Sequence, residues 1–116
     1  MKLLWLCNIA PGAVQEHASG KRSSGLWMDH VLKDLRKKAN LNLRVLCPGS
    51  GSSDGRLDDS CSYGFFTEGL PYVYLTELEE QFRREIQSFC PDVIHIWGTE
   101  YGHTLAMVNA AEKEGG

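Results

Sequence analysis

The run PDVIHIWGTEYGHTLAMVNAAEKEGG, residues 91–116, decides the fold. Pro91 stops whatever precedes it. Val93, Ile94, Ile96 and Trp97 then form a short apolar group, rich in β-branched types and too brief for a helix, which reads as a buried strand. Gly98 and Gly102 punctuate a turn, after which Leu105, Val108 and Ala111 fall on one face of a helix. A strand, a loop and a crossover helix in that order belong to an open parallel sheet, and such sheets bind ligands outside the carboxyl ends of their strands. His95, Trp97, Thr99, Glu100, Tyr101 and His103 occupy that position, so the stretch predicts one wall of a binding cleft.

Working back from that cleft, Thr76 to Glu79 reads as a capping box that opens a helix with Leu78, Phe82, Ile86 and Phe89 on its buried face. Two short β-like runs precede it, Tyr63 to Thr67 and Tyr72 to Leu75, expected as a hairpin or as edge strands. Residues 48–60 are rich in glycine and serine and read as a mobile connection. Leu43 to Cys47 is a second strand, and Gly25 to Ala39 a helix whose stripe is Met28, Val31, Leu32 and Leu35. Lys2 to Ile9 is a near-continuous apolar run of the kind buried on both faces of a parallel sheet. Between it and the helix lies a long polar loop, Ala10 to about Ser24, with Ser23 or Ser24 as helix cap.

Strands alternating with helices imply parallel pairing through right-handed crossovers. The expected fold class is therefore α/β: a Rossmann-like three-layer α/β/α sandwich with a mainly parallel sheet, in a single domain over residues 1–116. Gly115-Gly116 is a helix C-cap signal after which another strand is expected, so the sheet reads as incomplete.

Composition narrows the partners. Hydrophobic content of 42% and charged content of 23% are ordinary for a soluble domain. A net charge of −3 argues against a nucleic acid or an anionic membrane surface as main partner. Lys33, Arg36, Lys37 and Lys38 cluster in the last turns of a helix, where they complement its dipole. The amino terminus imitates a signal peptide but is short in its apolar part and contains Asn8, so it reads as a first strand. Cys7, Cys47, Cys61 and Cys90 are scattered without metal-ligand spacing, which points to a reducing, cytoplasmic protein with no metal.

Two places carry candidate chemistry. The glycines and serines before the first helix can present backbone N–H groups to a phosphate, or serve only as a cap. His95 is by itself most often a satisfied core residue, but Glu100 and His103 in the same loop allow acid–base work or sugar binding, with Trp97 and Tyr101 to stack on a ring or to fill the core.

Two separated stretches carry a resemblance that covers nearly the whole chain. Ser24-Gly25-Leu26-Trp27 resembles the glycine-pair helix start of family-4 glycosyltransferases, and PDVIHIWGTEYG resembles that family's fourth-strand segment. The resemblance implies the amino-terminal, acceptor-side half of a GT-B enzyme that moves a sugar from a nucleotide-sugar donor to a sugar or lipid acceptor, with retention and without a divalent metal. It implies donor diphosphate binding at Ser24 and Gly25, and acceptor binding at His95, Trp97 and Glu100. Ser24 stands where the family often has its first glycine, and Trp97 where a second histidine is common. The donor domain and the catalytic residues lie outside this sequence. The chain alone is then expected to be inactive and to dimerise through exposed apolar sheet, and the full enzyme is compatible with peripheral membrane association. The alternatives are a self-contained, non-catalytic Rossmann-like ligand-binding module and a receiver or flavodoxin-like domain. The second is weakened by the lack of acidic residues in Leu6-Cys7-Asn8-Ile9.

Overall fold

The computed structural model describes residues 1–20, 26–49, 54–66, 76–97 and 102–114. In chain order these form β1 (Lys2–Leu6), α1 (Gly12–Ser19), α2 (Leu26–Arg36), β2 (Asn42–Pro48), β3 (Gly55–Asp58), β4 (Cys61–Phe66), α3 (Thr76–Phe89), β5 (Val93–Ile96) and α4 (Gly102–Lys113). The protein is α/β, with one five-stranded mixed sheet in the order β3-β4-β2-β1-β5. β1 runs parallel to both neighbours, pairing Leu3 with Leu43 and with Val93. β2 and β4 are also parallel, and β3 joins β4 antiparallel.

Side chains of a strand alternate between faces, and β1 uses both. Leu3, Trp5 and Cys7 join Val45, Cys47 and Tyr63 in a cluster closed by Val14 of α1 and by Met28 and Leu32 of α2. Leu4 and Leu6 join Leu46 and Phe66 in a second cluster closed by Leu78 and Phe82 of α3 and by Ala106, Met107 and Ala110 of α4. Each fully buried side chain of this size contributes roughly 1.5–3 kcal/mol, so burial on both faces makes β1 the core strand.

Polar contacts then fix where the helices sit. The amino end of α1 follows Pro11 and has no capping side chain of its own; Asp29 Oδ1 of α2 accepts from the Ala13 N–H at 2.9 Å instead. Arg44 on β2 donates to both carboxylate oxygens of Glu85 on α3 at 2.9 Å, and to Asp54 at 3.0 Å. Its guanidinium lies across Gly64, where an added Cβ would stand 2.6 Å from Arg44 Nη2. Glu79 of α3 is buried and takes the ammonium of Lys113, and Arg83 Nε meets Glu114 at 3.0 Å, so two ion pairs join α3 to the end of α4. None of the helices is long and apolar enough to cross a membrane, among the described residues.

Several sequence expectations are corrected. Residues 12–19 are a helix, not loop: Ala13 to Ala18 contains no glycine or proline, and Val14 anchors the turn in the core. β3 lies inside the stretch expected to be a mobile connection. An Asp58 turn accounts for it, with Oδ1 accepting from the Ser60 N–H at 2.8 Å and reversing the chain into β4. β4 therefore starts two residues early and pairs parallel with β2; the second run, residues 72–75, lies outside the described residues. In α2, Val31 is exposed while Met28 and Leu32 are buried. β5 is an edge strand, with Val93 46% exposed. In α4 the expected stripe faces outward, Leu105 at 53% and Val108 at 46% exposure, and His103, Ala106, Met107 and Ala110 are buried instead. Alanines carried the buried face, which made the larger aliphatics the misleading signal.

Two predictions follow from these contacts. Arg44→Met leaves the half-buried Glu85 without its main partner and costs about 2–4 kcal/mol in urea unfolding, most of it recovered in the Arg44→Met, Glu85→Leu double variant. Burial opposes ionisation of Asp58, but its bonds from Arg36 and Ser60 outweigh it and hold the carboxyl below the ordinary carboxylate range. The stabilisation from Arg36 is then fully present above about pH 4 and lost as pH falls through the depressed value. The gap in urea midpoint between wild type and Arg36→Gln should close at that acid end.

Candidate functional site

The chain leaves β1 for β2 on one side and returns to β5 on the other. The carboxyl ends of β1 and β5 therefore flank the point where strand order reverses, the usual crevice for ligands in such sheets. Hydrogen bonds extend both strands into this region: Cys7 N–H to Leu46 C=O at 2.8 Å, and Trp97 N–H to Leu6 C=O at 2.8 Å. Gln15 Nε2 on α1 donates to Ala10 C=O at 2.8 Å and ties down the segment that follows β1.

Aromatic rings line the crevice. His95 and Trp97 project on the same side of β5 and stack with centroids 4.5 Å apart at 28°. The edge of this pair meets the fully buried Trp5, 5.3 Å from Trp97 and 6.1 Å from His95, both close to perpendicular. Such contacts add about 0.5–1.5 kcal/mol beyond area burial and hold the rings in place. His95 is exposed and Trp97 half-buried, so His95 is not the core histidine that a lone strand histidine suggests.

His103 was grouped with this wall by sequence, and the structure separates it. It is 2% exposed, packs its ring 5.1 Å from Phe66, and belongs to the side of the sheet covered by α3 and α4. Ser24, Gly25 and Glu100 lie outside the described residues, as do Thr99 and Tyr101. His17 has its Nδ1 2.7 Å from the Tyr63 hydroxyl and stacks edge-on against that ring, joining α1 to β4.

Two residues at the crevice were missed. The Trp5 indole Nε1 and the Asn8 side-chain Oδ1 are buried with no hydrogen-bond partner among the described residues. Trp5 was hidden by its place in an apolar run. Asn8 carried the legible signal, being the first polar residue after a strand that ends at the switch point. Near them, Cys7 and Cys47 sit at adjacent register positions of β1 and β2. Burial foremost, and then Cys47, raises the Cys7 thiol well above its ordinary value. Burial pushes Cys47 up to about 12 against the opposing charge of Arg44. Neither is a thiolate nucleophile near neutral pH. Among the described residues no cluster of His, Cys, Asp or Glu has the makings of a metal site.

The chain matches no known family model, no curated protein and no solved structure. Its site is therefore characterised by its own chemistry: stacked rings, an imidazole open to solvent, one buried donor and one buried acceptor.

The thiols supply a check on this arrangement. With an aromatic disulfide reagent at pH 8, the exposed Cys90 should react at once, and Cys7, Cys47 and Cys61 only on the timescale of unfolding. Rapid modification of a second thiol in the native protein would contradict the packing at the base of the crevice.

Proposed function

We propose that this chain is the amino-terminal, acceptor-side portion of a nucleotide-sugar-dependent glycosyltransferase of the GT-B type, a Rossmann-like three-layer domain whose donor-binding half is carried elsewhere in a longer polypeptide. The observation that carries the reading is the His95–Trp97 stack at the carboxyl end of β5, an aromatic platform beside a titratable group at the switch point of the sheet. An aromatic ring face suits the C–H face of a sugar, and an imidazole suits its hydroxyls.

A second observation supports incompleteness. The outer edge of β5 pairs with no strand among the described residues. Beside it an apolar groove of about 370 Å³ is lined by Ile94, Ile96, Met107, Val108, Ala111 and Glu112. A further parallel strand reached by a right-handed crossover from α4 would fill that edge.

In this reading His95, Trp97 and Glu100 hold the acceptor, and Ser24 and Gly25 approach the donor diphosphate through backbone N–H groups. Charge on the departing nucleotide is met by backbone dipoles and basic side chains rather than a divalent metal. The enzyme works in the cytoplasm on a sugar or lipid acceptor, retains anomeric configuration, and rests at the membrane surface when the acceptor is a lipid. The chain by itself pairs with a second copy through the bare β5 edge.

The purified 116-residue chain should release no nucleotide diphosphate from any nucleotide sugar. The polypeptide extended along its own reading frame should do so, and Trp97→Ala should raise its acceptor KM about tenfold with little change for the donor. Turnover by the short chain, or an inert extended one, would overturn the proposal.

A further inference from the structure

Two hollows adjoin along α2. Among the described residues, one of about 300 Å³ is lined by Lys33, Arg36, Lys37 and Asp58. The other, of about 330 Å³, is lined by Ala13, Asp29, Leu32, Lys33 and Arg36, so Lys33 and Arg36 border both. Asp58 ends β3 where β4 begins, and α2 ends shortly before β2 begins. The first hollow therefore lies at the amino ends of the strands, away from the crevice at the carboxyl ends of β1 and β5.

Its walls are strongly basic. Lys33, Arg36 and Lys37 stand three and four residues apart, which puts them on one face of the helix. Arg36 Nε donates to Asp58 Oδ2 at 2.8 Å, and the other Asp58 oxygen accepts from the Ser60 N–H and hydroxyl. That carboxylate offsets one cation, and the carboxyl end of α2 supplies about half a negative charge more. Among the lining residues about one and a half positive charges are left over, which suits the dianion of a phosphate. Complementing the helix dipole does not need three cations in one hollow. The bond to Asp58 also fixes the plane of the guanidinium, whose Nη2 lies 3.5 Å from the Leu57 carbonyl. Arg36 thus offers an oriented fork, and the exposed Lys33 and Lys37 add mobile point charges beside it.

The second hollow has a different character. Asp29 brings negative charge to it, and Leu32 and Ala13 bring apolar surface. A second phosphate is disfavoured there, and the uncharged carbon chain of an ester is favoured. We propose that the two hollows form one site for a small phosphomonoester, with its dianion against Lys33, Arg36 and Lys37 and its carbon chain along Leu32 and Ala13. This site stands apart from the acceptor-side reading and does not depend on it.

The test is a titration at pH 8 followed on the Arg36 Nε–H and the Lys33 and Lys37 amide resonances in a proton–nitrogen correlation spectrum. The probes are glycerol 3-phosphate, inorganic phosphate, glycerol, and phosphatidylcholine vesicles with and without phosphatidate. Glycerol 3-phosphate should shift all three resonances saturably, with a Kd on the order of 1 mM and at least about threefold tighter than inorganic phosphate. Glycerol should shift none. Lys33→Gln and Lys37→Gln should each weaken binding about fivefold, whereas Arg84→Gln, which removes an exposed cation of α3, should leave it unchanged. Saturation by glycerol 3-phosphate assigns the site to a soluble ester. Sedimentation with phosphatidate vesicles in its place, lost in the lysine variants, assigns the same chemistry to a lipid headgroup. No response to either source, inorganic phosphate binding as tightly as the ester, wild-type binding in both lysine variants, or an equal loss in Arg84→Gln overturns the proposal.

Discussion

Burial of β1 on both faces is the constraint from which the rest follows. Leu4, Trp5 and Leu6 are completely shielded, and they point alternately into the two clusters. A strand buried on both faces from Leu3 to Leu6 cannot slip in register by one residue without exchanging the contents of both clusters. β2 and β5 are thereby placed on either side of it, and α1 with α2 and α3 with α4 take the two faces. The ion pairs are a weaker influence. Solvent-screened pairs such as Arg83 with Glu80 contribute little beside each large apolar side chain of the core. Arg44 with Glu85 is the exception, because its cost appears when one member is removed.

The same strand sets the site. Because the chain turns one way from β1 and comes back on the other, the carboxyl ends of β1 and β5 flank the switch point of the sheet, the usual place for a ligand. Trp5 links the two roles. Its ring is part of the core, it braces the His95–Trp97 stack, and its N–H has no partner among the described residues. The site is thus built on strand ends fixed by the core.

Much of this was legible in the sequence. The long apolar run of β1, the α3 pattern of Leu78, Phe82, Ile86 and Phe89, and the Pro91 break before β5 gave strong periodic signals. What failed had physical causes. α1 is short, opening at Gly12 and closing at Gly20, so its helical period was too brief to stand out. β3 depends on a turn made by Asp58 and on a partner strand, which no local propensity reveals. The burial of α4 was misread because small alanines face α3 while Leu105 and Val108 look outward. The placement of His95 and Trp97 at the carboxyl end of β5 was legible from the apolar residues around them. The unpartnered Trp5 indole and Asn8 oxygen were not, since they are defined by what the described residues leave unbonded.

The balance between a closed core at β1 and an open edge at β5 is the central claim, and amide hydrogen exchange reads it residue by residue. The account predicts that amides of β1 exchange only on global unfolding, while those of β5 that face away from β1 exchange far faster in dilute solution and slow as protein concentration rises and copies pair. Amides of β5 as slow as those of β1 at every concentration would mean that the edge is covered within the chain, and would contradict it.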